Sequence, residues 1–437
     1  MANVPTAAEA TGAVPHWYAP DGDVLSLVEG SGARVTDDDG EEYLDFVSQL
    51  YCVNAGHDED RIVDAMTEQA RRIPYVASSK DSPTRDALAA RLTEVSPGDL
   101  VTGFFSVSGS EANELAAHLA REYTDGHTVL TRWRSYHGGT YGAASFTGDP
   151  ETRATVERHA ATTGAGKFLP PIPRAFGTDD PAELADRAAD HLEFVIRNEG
   201  PDSVAAVLME PVGGTSGSYP APPGYVERVR EICDEFGVLL VADEVITGFG
   251  RCGDWFGMDT EGVVPDLLTF AKGVTSAYAP LAGVLARPDV AAHFRDAGLD
   301  LGQTFAGHPV ACAAGVAALD AYEEGLIDNC AALAPYLEQR LRDLESHDAV
   351  ADVRGRGFLW GVEFADPETG EPFVDPRVDG DADNPVDGVL KAARERGVLV
   401  GGGRPNFQLT VAPPLCVDRD DIDEAVDALD AAVTEAF

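Results

Sequence analysis

Short apolar runs alternate along this chain with stretches in which apolar side chains recur every three or four positions. The runs at 203–210, 238–244, 265–272 and 281–286 read as buried strands. Before them, Leu88, Leu92 and Val95 follow Thr84 at helical spacing, and Leu115, Leu119 and Tyr123 follow Ser110. Val226, Val229, Cys233 and Phe236 share one face of a helix that Gly237 stops. Continuously apolar strands separated by helices predict an α/β fold, with a mostly parallel sheet covered on both faces.

After His308 the texture changes. Helical patterns over 310–322 and 334–344 lead into the apolar run 353–364. Asp, Pro and Gly mark 366–387 as a surface loop. A helix at 389–396, strands around Val398 and over 407–411, and an acidic helix from Asp418 complete the pattern. This α+β tail predicts a second, smaller domain.

Charge defines the surface. The 75 acidic and 32 basic residues give a formal net charge of −43. Such a chain lacks the basic footprint that nucleic acid or an anionic membrane requires. Yet 44% of its residues are hydrophobic and periodically placed, which opposes disorder. A folded core under a carboxylate coat suits concentrated salt, where the Debye length falls to about 3 Å at 1 M. The expectation is a salt-requiring protein of a halophilic cytoplasm. Residues 1–20 show neither the basic start nor the apolar core of a signal peptide. No apolar stretch approaches the roughly 20 residues that span a bilayer. The scattered cysteines form no Cys-x-x-Cys pair, so a zinc site or disulfide framework is not favoured.

Lysine is almost absent: only Lys80, Lys167, Lys272 and Lys391 occur. Lys272 stands where a buried strand should end, and its amine can form a Schiff base, which arginine cannot. Two other apolar strands end in Glu210 and Asp243. Ligands of open α/β sheets sit beyond the carboxyl ends of the strands. A pyridoxal phosphate site needs a lysine for the aldehyde carbon and a carboxylate to keep the pyridine nitrogen protonated. Lys272 and Asp243 supply them from adjacent strands, whereas Glu244 points to the other face. For the phosphate, Ser108, Gly109 and Ser110 open a helix whose backbone N–H groups can cradle an anion. The same Ser-x-x-Glu is equally an ordinary capping box. Tyr136 lies in a glycine-flanked turn, where its ring either stacks on a cofactor or packs in the core.

Together these segments resemble the class III, ω-amino-acid type aminotransferases. The matching stretches are Val107-Ser-Gly-Ser-Glu-Ala-Asn113, Ser135-Tyr-His-Gly-Gly139 and Met209-Glu-Pro-Val212. Val241-Ala-Asp-Glu-Val-Ile-Thr-Gly-Phe-Gly-Arg251, Phe270-Ala-Lys-Gly-Val-Thr-Ser-Ala-Tyr-Ala-Pro-Leu281 and Thr304-Phe-Ala-Gly-His-Pro309 follow in the family's order. The resemblance implies the pyridoxal-phosphate fold of type I. A large cofactor-binding domain would span 63–315, and a small α+β domain would combine 1–62 with 316–437.

By the same resemblance, Lys272 is the imine-forming lysine and proton shuttle, and Asp243 pairs with the pyridine nitrogen. Val245 lies under the ring, Tyr136 covers its other face, and His137 and Glu210 stand near the cofactor. Ser108, Gly109 and Ser110 hold the phosphate. Thr304 reaches the phosphate of a neighbouring subunit, which implies a homodimer with shared sites. Tyr51 forms an aromatic wall of the substrate pocket. The implied reaction is ping-pong transfer from an ω-amino acid or amine to a keto acid, pyruvate first and 2-oxoglutarate second.

One stretch departs from the family. Val398-Leu-Val-Gly-Gly-Gly-Arg-Pro405 has glycine where many relatives carry a carboxylate-binding arginine. It offers Arg404 instead, either on a shifted loop or as a surface charge. The alternative activities on this fold are an aminomutase or a decarboxylase, which dependence on a second substrate distinguishes. A nicotinamide dehydrogenase would need a Gly-x-Gly-x-x-Gly turn that opens a helix after a strand, and none stands where that reading needs it.

Overall fold

A computed structural model describes residues 24–156, 164–374, 384–404 and 406–437. The stretch read for a signal peptide, 1–20, and residues 375–383 of the acidic loop lie outside the described residues. Three strands come first: β1 (Leu27–Ser31), β2 (Arg34–Asp37) and β3 (Glu42–Asp45). The next four are β4 (Thr102–Ser106), β5 (Thr128–Arg132), β6 (Ala165–Phe168) and β7 (Val204–Met209). With β8 (Leu239–Asp243), β9 (Leu267–Phe270) and β10 (Ala282–Ala286) they form one sheet, ordered β4-β10-β9-β8-β7-β5-β6.

Strands β6, β5, β7, β8 and β9 run parallel. The run 281–286 is reversed: β10 is antiparallel to both β9 and β4. The connection from β9 is shorter than the dozen or more residues a parallel crossover takes, so the chain turns straight back. Every residue of β7 and β8 is buried, which explains why neither strand alternates in sequence. Val207 and Leu240 face a cluster with the helices Pro181–Glu199 and Tyr225–Phe236. Ala206, Leu208 and Val241 pack with the helix Gly109–Thr124 on the other side.

The tail builds β11 (Val350–Arg356), β12 (Leu359–Phe364), β13 (Val398–Leu399), β14 (Gly401–Gly402) and β15 (Gln408–Val411). Four of these form a sheet of order β11-β12-β15-β14, while β13 adds to the N-terminal sheet parallel to β3. Thus Val398 pairs with Leu44, joining the two ends of the chain.

Three predicted elements change in detail. The run 353–364 breaks into a hairpin at Gly357, whose φ of 59° is the left-handed region that favours glycine. The helix expected from residue 334 begins at Ile327 and carries Pro335 inside it. The helix expected from residue 389 begins at Pro385, because the Asn384 side chain caps the Val386 N–H. No helix among the described residues is long and apolar enough to cross a membrane.

Candidate active site

The parallel strands deliver their chemistry at one edge. Asp243 is the last residue of β8, Glu210 follows β7, and Lys272 lies two residues beyond β9. Lys272, Asp243, Glu210, Tyr136, His137, Val245, Gly109 and Ser110 all line one cavity of about 150 Å³. Lys272 opens a short 3-10 turn with φ of 46°, and Ser276 and Ala277 share this left-handed region. Such conformations cost about 1–3 kcal/mol each and persist where the surroundings over-determine them. Tyr322 does part of this holding, its hydroxyl donating to the Gly273 carbonyl at 2.6 Å. The Ser276 hydroxyl accepts the Ala55 N–H at 2.8 Å. The Lys272 carbonyl accepts the Ala277 N–H at 3.2 Å, but its side chain makes no hydrogen bond or ion pair among the described residues, so the amine is committed to nothing.

Asp243 is the opposite case, fully bonded. Its Oδ2 lies 2.7 Å from His137 Nδ1 and accepts the Asn113 amide at 2.8 Å, while Oδ1 accepts the Val245 N–H at 3.1 Å. Burial alone would raise this carboxyl, but the bond and charge of His137 with the two N–H donors outweigh it. The net effect holds it below the ordinary carboxylate range. Glu210 goes the other way: burial pushes its carboxyl up against the opposing charges of His137 and Arg132. Arg132 donates to the Glu210 carbonyl at 2.6 Å and stands 3.4 Å from its Oε2.

The helix Gly109–Thr124 presents its N-terminus to the cavity. Ser108 is its N-cap and accepts the Glu111 N–H at 3.2 Å, so that hydroxyl serves the helix. Glu111 reaches past the cap and accepts the Val107 N–H at 3.0 Å, so the reciprocal bond of a full capping box is not made. Capping and anion binding are therefore both open to this turn, because the cap leaves the Gly109 and Ser110 N–H groups unspent by it. A Cβ on Gly109 would stand 3.0 Å from Val245 Cγ1, so glycine gives the room at this corner.

Residues 17–433 match the family described as aminotransferase class-III. A probable aminotransferase of Mycobacterium tuberculosis is 40% identical over 80% of this chain and 77% of its own length. A taurine–pyruvate aminotransferase of Bilophila wadsworthia is 35% identical over 93% of this chain and 91% of its own. The solved taurine:2-oxoglutarate aminotransferase of Bifidobacterium kashiwanohense, in complex with pyridoxal phosphate and glutamate, superposes with a TM-score of 0.92. It is 33% identical and covers 97% of this chain and 95% of its own.

The chain is a class III aminotransferase. The fold is therefore that of the type I pyridoxal-phosphate enzymes, and pyridoxal phosphate is the cofactor of this aminotransferase. The residues present fit that group. The cavity offers an uncommitted primary amine, an ionised carboxylate and a helix N-terminus with glycine at its first turn. The buried Nε2 of His137 has no hydrogen-bond partner among the described residues.

Four expected residues do not line the cavity: the helix cap Ser108, and Tyr51, Thr304 and Arg404. Tyr51 is buried one layer behind, in an apolar cluster with Val212 and Ile246, both of which line the cavity. Thr304 is exposed, its carbonyl accepting the Tyr75 hydroxyl at 3.0 Å. Arg404 is anchored rather than splayed into solvent: its guanidinium lies 5.9 Å from the centre of the Tyr136 ring and 3.7 Å from Asp149. Sequence reasoning gave no role to Asn113, Thr269 or Arg132. Asn113 was findable, since it lies one helical turn after Gly109 on the same face. Thr269 sits within an apolar strand and carried no signal, whereas Arg132 ends β5 and was findable as a further ionisable residue at that edge.

Proposed function

We propose that this aminotransferase moves an amino group from an ω-amino acid or amine to a keto acid in two half-reactions, preferring pyruvate to 2-oxoglutarate. The observation that carries this reading is the pairing, in one cavity, of an unpartnered amine at Lys272 with a hydrogen-bonded, ionised carboxylate at Asp243. Pyridoxal phosphate, when bound, supplies an aldehyde that carries the amino group and a ring that accepts the electrons freed at the donor carbon.

The protein's residues do the rest. Lys272 would hold the cofactor through its Nζ and would be the group that takes and returns the proton at the donor carbon. Asp243 keeps a proton on the ring nitrogen opposite. Backbone N–H groups of Gly109 and Ser110 hold the phosphate beside the Ser108 cap. Val245 and Tyr136 would confine the ring, with His137 bonded to Asp243 and Glu210 along the cavity wall. Tyr51 backs the donor pocket. Arg404, poised beside Tyr136, receives the keto-acid carboxylate. The exposed Thr304 serves the phosphate of a second copy, making the working unit a homodimer. The pairing of β13 with β3 supports a small domain built from 1–62 and 316–437 against a large domain over 63–315.

Preference for pyruvate draws on the likeness to the taurine–pyruvate enzyme. A donor panel of β-alanine, taurine, 4-aminobutyrate, diamines and arylalkyl amines, run with each keto acid in high salt, tests the reading through the cofactor's absorbance. Conversion without any keto acid, or faster turnover with 2-oxoglutarate, would overturn it. Borohydride treatment of the holoenzyme should place the label on Lys272. Activity that is equal at low and high salt would remove the expectation, drawn from the net charge of −43, that the protein requires salt.

A further inference from the structure

Asn113 is fully buried, one turn into the helix whose N-terminus opens on the cavity. Its Nδ2 donates to Asp243 Oδ2 at 2.8 Å and to the His137 carbonyl at 2.9 Å. Its Oδ1 accepts the Thr269 hydroxyl at 2.9 Å, and that hydroxyl also stands 3.4 Å from Asp243 Oδ1. This amide has one tenable orientation. Rotated by half a turn, its oxygen would face a carboxylate and a carbonyl, three acceptors without a donor between them. Thr269, the third residue of β9, supplies the hydroxyl that closes the arrangement from the strand leading to Lys272. All of these groups are buried, so removing one partner leaves the donors and acceptors of the others unsatisfied.

The bonds link two ends of the cavity through one rigid element. Gly109 and Ser110 begin the helix; Asn113, on the same face four residues later, clamps Asp243 and the turn that carries His137. We infer that Asn113 is a positioning residue that couples phosphate binding at the helix N-terminus to the charge and direction of the Asp243 carboxylate. This rests on the proposed pairing of Asp243 with the ring nitrogen. Loss of the amide removes a donor that favours ionised Asp243, and it frees His137 from its carbonyl tether. Cofactor affinity and the acid side of the pH profile should then change together.

The test compares Asn113→Ala, Thr269→Val and Asp243→Asn. Cofactor-free protein is titrated with pyridoxal phosphate by fluorescence, and kcat is measured across pH with saturating donor and acceptor. Asn113→Ala should raise the half-saturating cofactor concentration at least about tenfold, as a lost bond to a charged group does. It should also move the acid limb of kcat to higher pH and lower kcat more than it changes KM for the donor. Thr269→Val, close in volume, should shift affinity and acid limb in the same direction by less. Unchanged affinity and an unchanged acid limb in Asn113→Ala overturn the inference. If Asn113→Ala does not fold, the same null result in Thr269→Val overturns it. A merely structural role predicts a lower melting temperature with both readouts unmoved. The Asp243 reading fails separately, if Asp243→Asn retains turnover.

Discussion

Two buried aspartates stand at opposite ends of neighbouring strands, and the chain treats them differently. Asp266, just before β9, sits between Arg230 and Arg287 and also accepts the Leu240 N–H. Asp243, at the far end of β8, meets no arginine: an imidazole, a side-chain amide and a backbone N–H surround it. Both are almost fully buried, at 4% exposure each, so burial does not separate them. The partners do. Two guanidinium groups close the charge of Asp266 inside the protein, whereas the hydrogen bonds of Asp243 keep it ionised with no arginine or lysine bound to it. A carboxylate held in the second way retains its charge for a ligand cation.

Exchange of the two carboxyls for amides should separate them most strongly. Asp243→Asn should lower kcat about 10²–10³-fold, as loss of one preorganised electrostatic partner does, with little change in unfolding. Asp266→Asn should instead cost about 1.5–3 kcal/mol in denaturant titration, since Arg230 and Arg287 lose their buried partner but keep Asp234 and Asp289. Its kcat per folded molecule should remain near the parent value. A catalytic defect in Asp266→Asn equal to that of Asp243→Asn would break the comparison.

Glu244 is the intermediate case and sharpens the contrast. It is fully buried, with neither arginine nor imidazole, and accepts the N–H groups of Gly257 and Met258 and the Thr247 hydroxyl. Burial outweighs those donors and pushes its carboxyl up to about 7. A carboxyl raised on folding stabilises fully below its ordinary value of 4.5, and that stability is lost as pH rises through about 7. Glu244→Gln stays neutral, so its melting temperature should gain on the parent's between those limits, by up to about 3 kcal/mol in stability. Melting curves of the two that run parallel across this range would show that Glu244 does not titrate there.

A smaller effect concerns Arg404. Alanine there should raise KM for the keto acid with little change in kcat, the signature of lost ground-state binding. An unchanged KM would exclude it from carboxylate recognition.

Much of this was legible before any coordinates. Continuous apolar runs gave the buried strands because a strand covered on both faces needs no polar side. Ionisable residues ending those runs marked the edge where ligands bind. The reversal of β10 was less legible, since an apolar strand reads the same in either direction and only the length of its connection decides. The helix read from residue 334 starts earlier, at Ile327, and the chain passes through Pro335 inside it.

Residue order alone determined what is local and chemical: a lone lysine after an apolar strand, an aspartate at the end of the strand before it, and a glycine at a helix start. These follow from residue type and spacing, which chain geometry turns directly into position. Partnership was decided only by folding. That Asn113 and His137 hold Asp243 while Arg230 and Arg287 hold Asp266 depends on which elements pack side by side. Hydrogen bonds and burial act through space, and residues far apart in the chain carry no mark of one another.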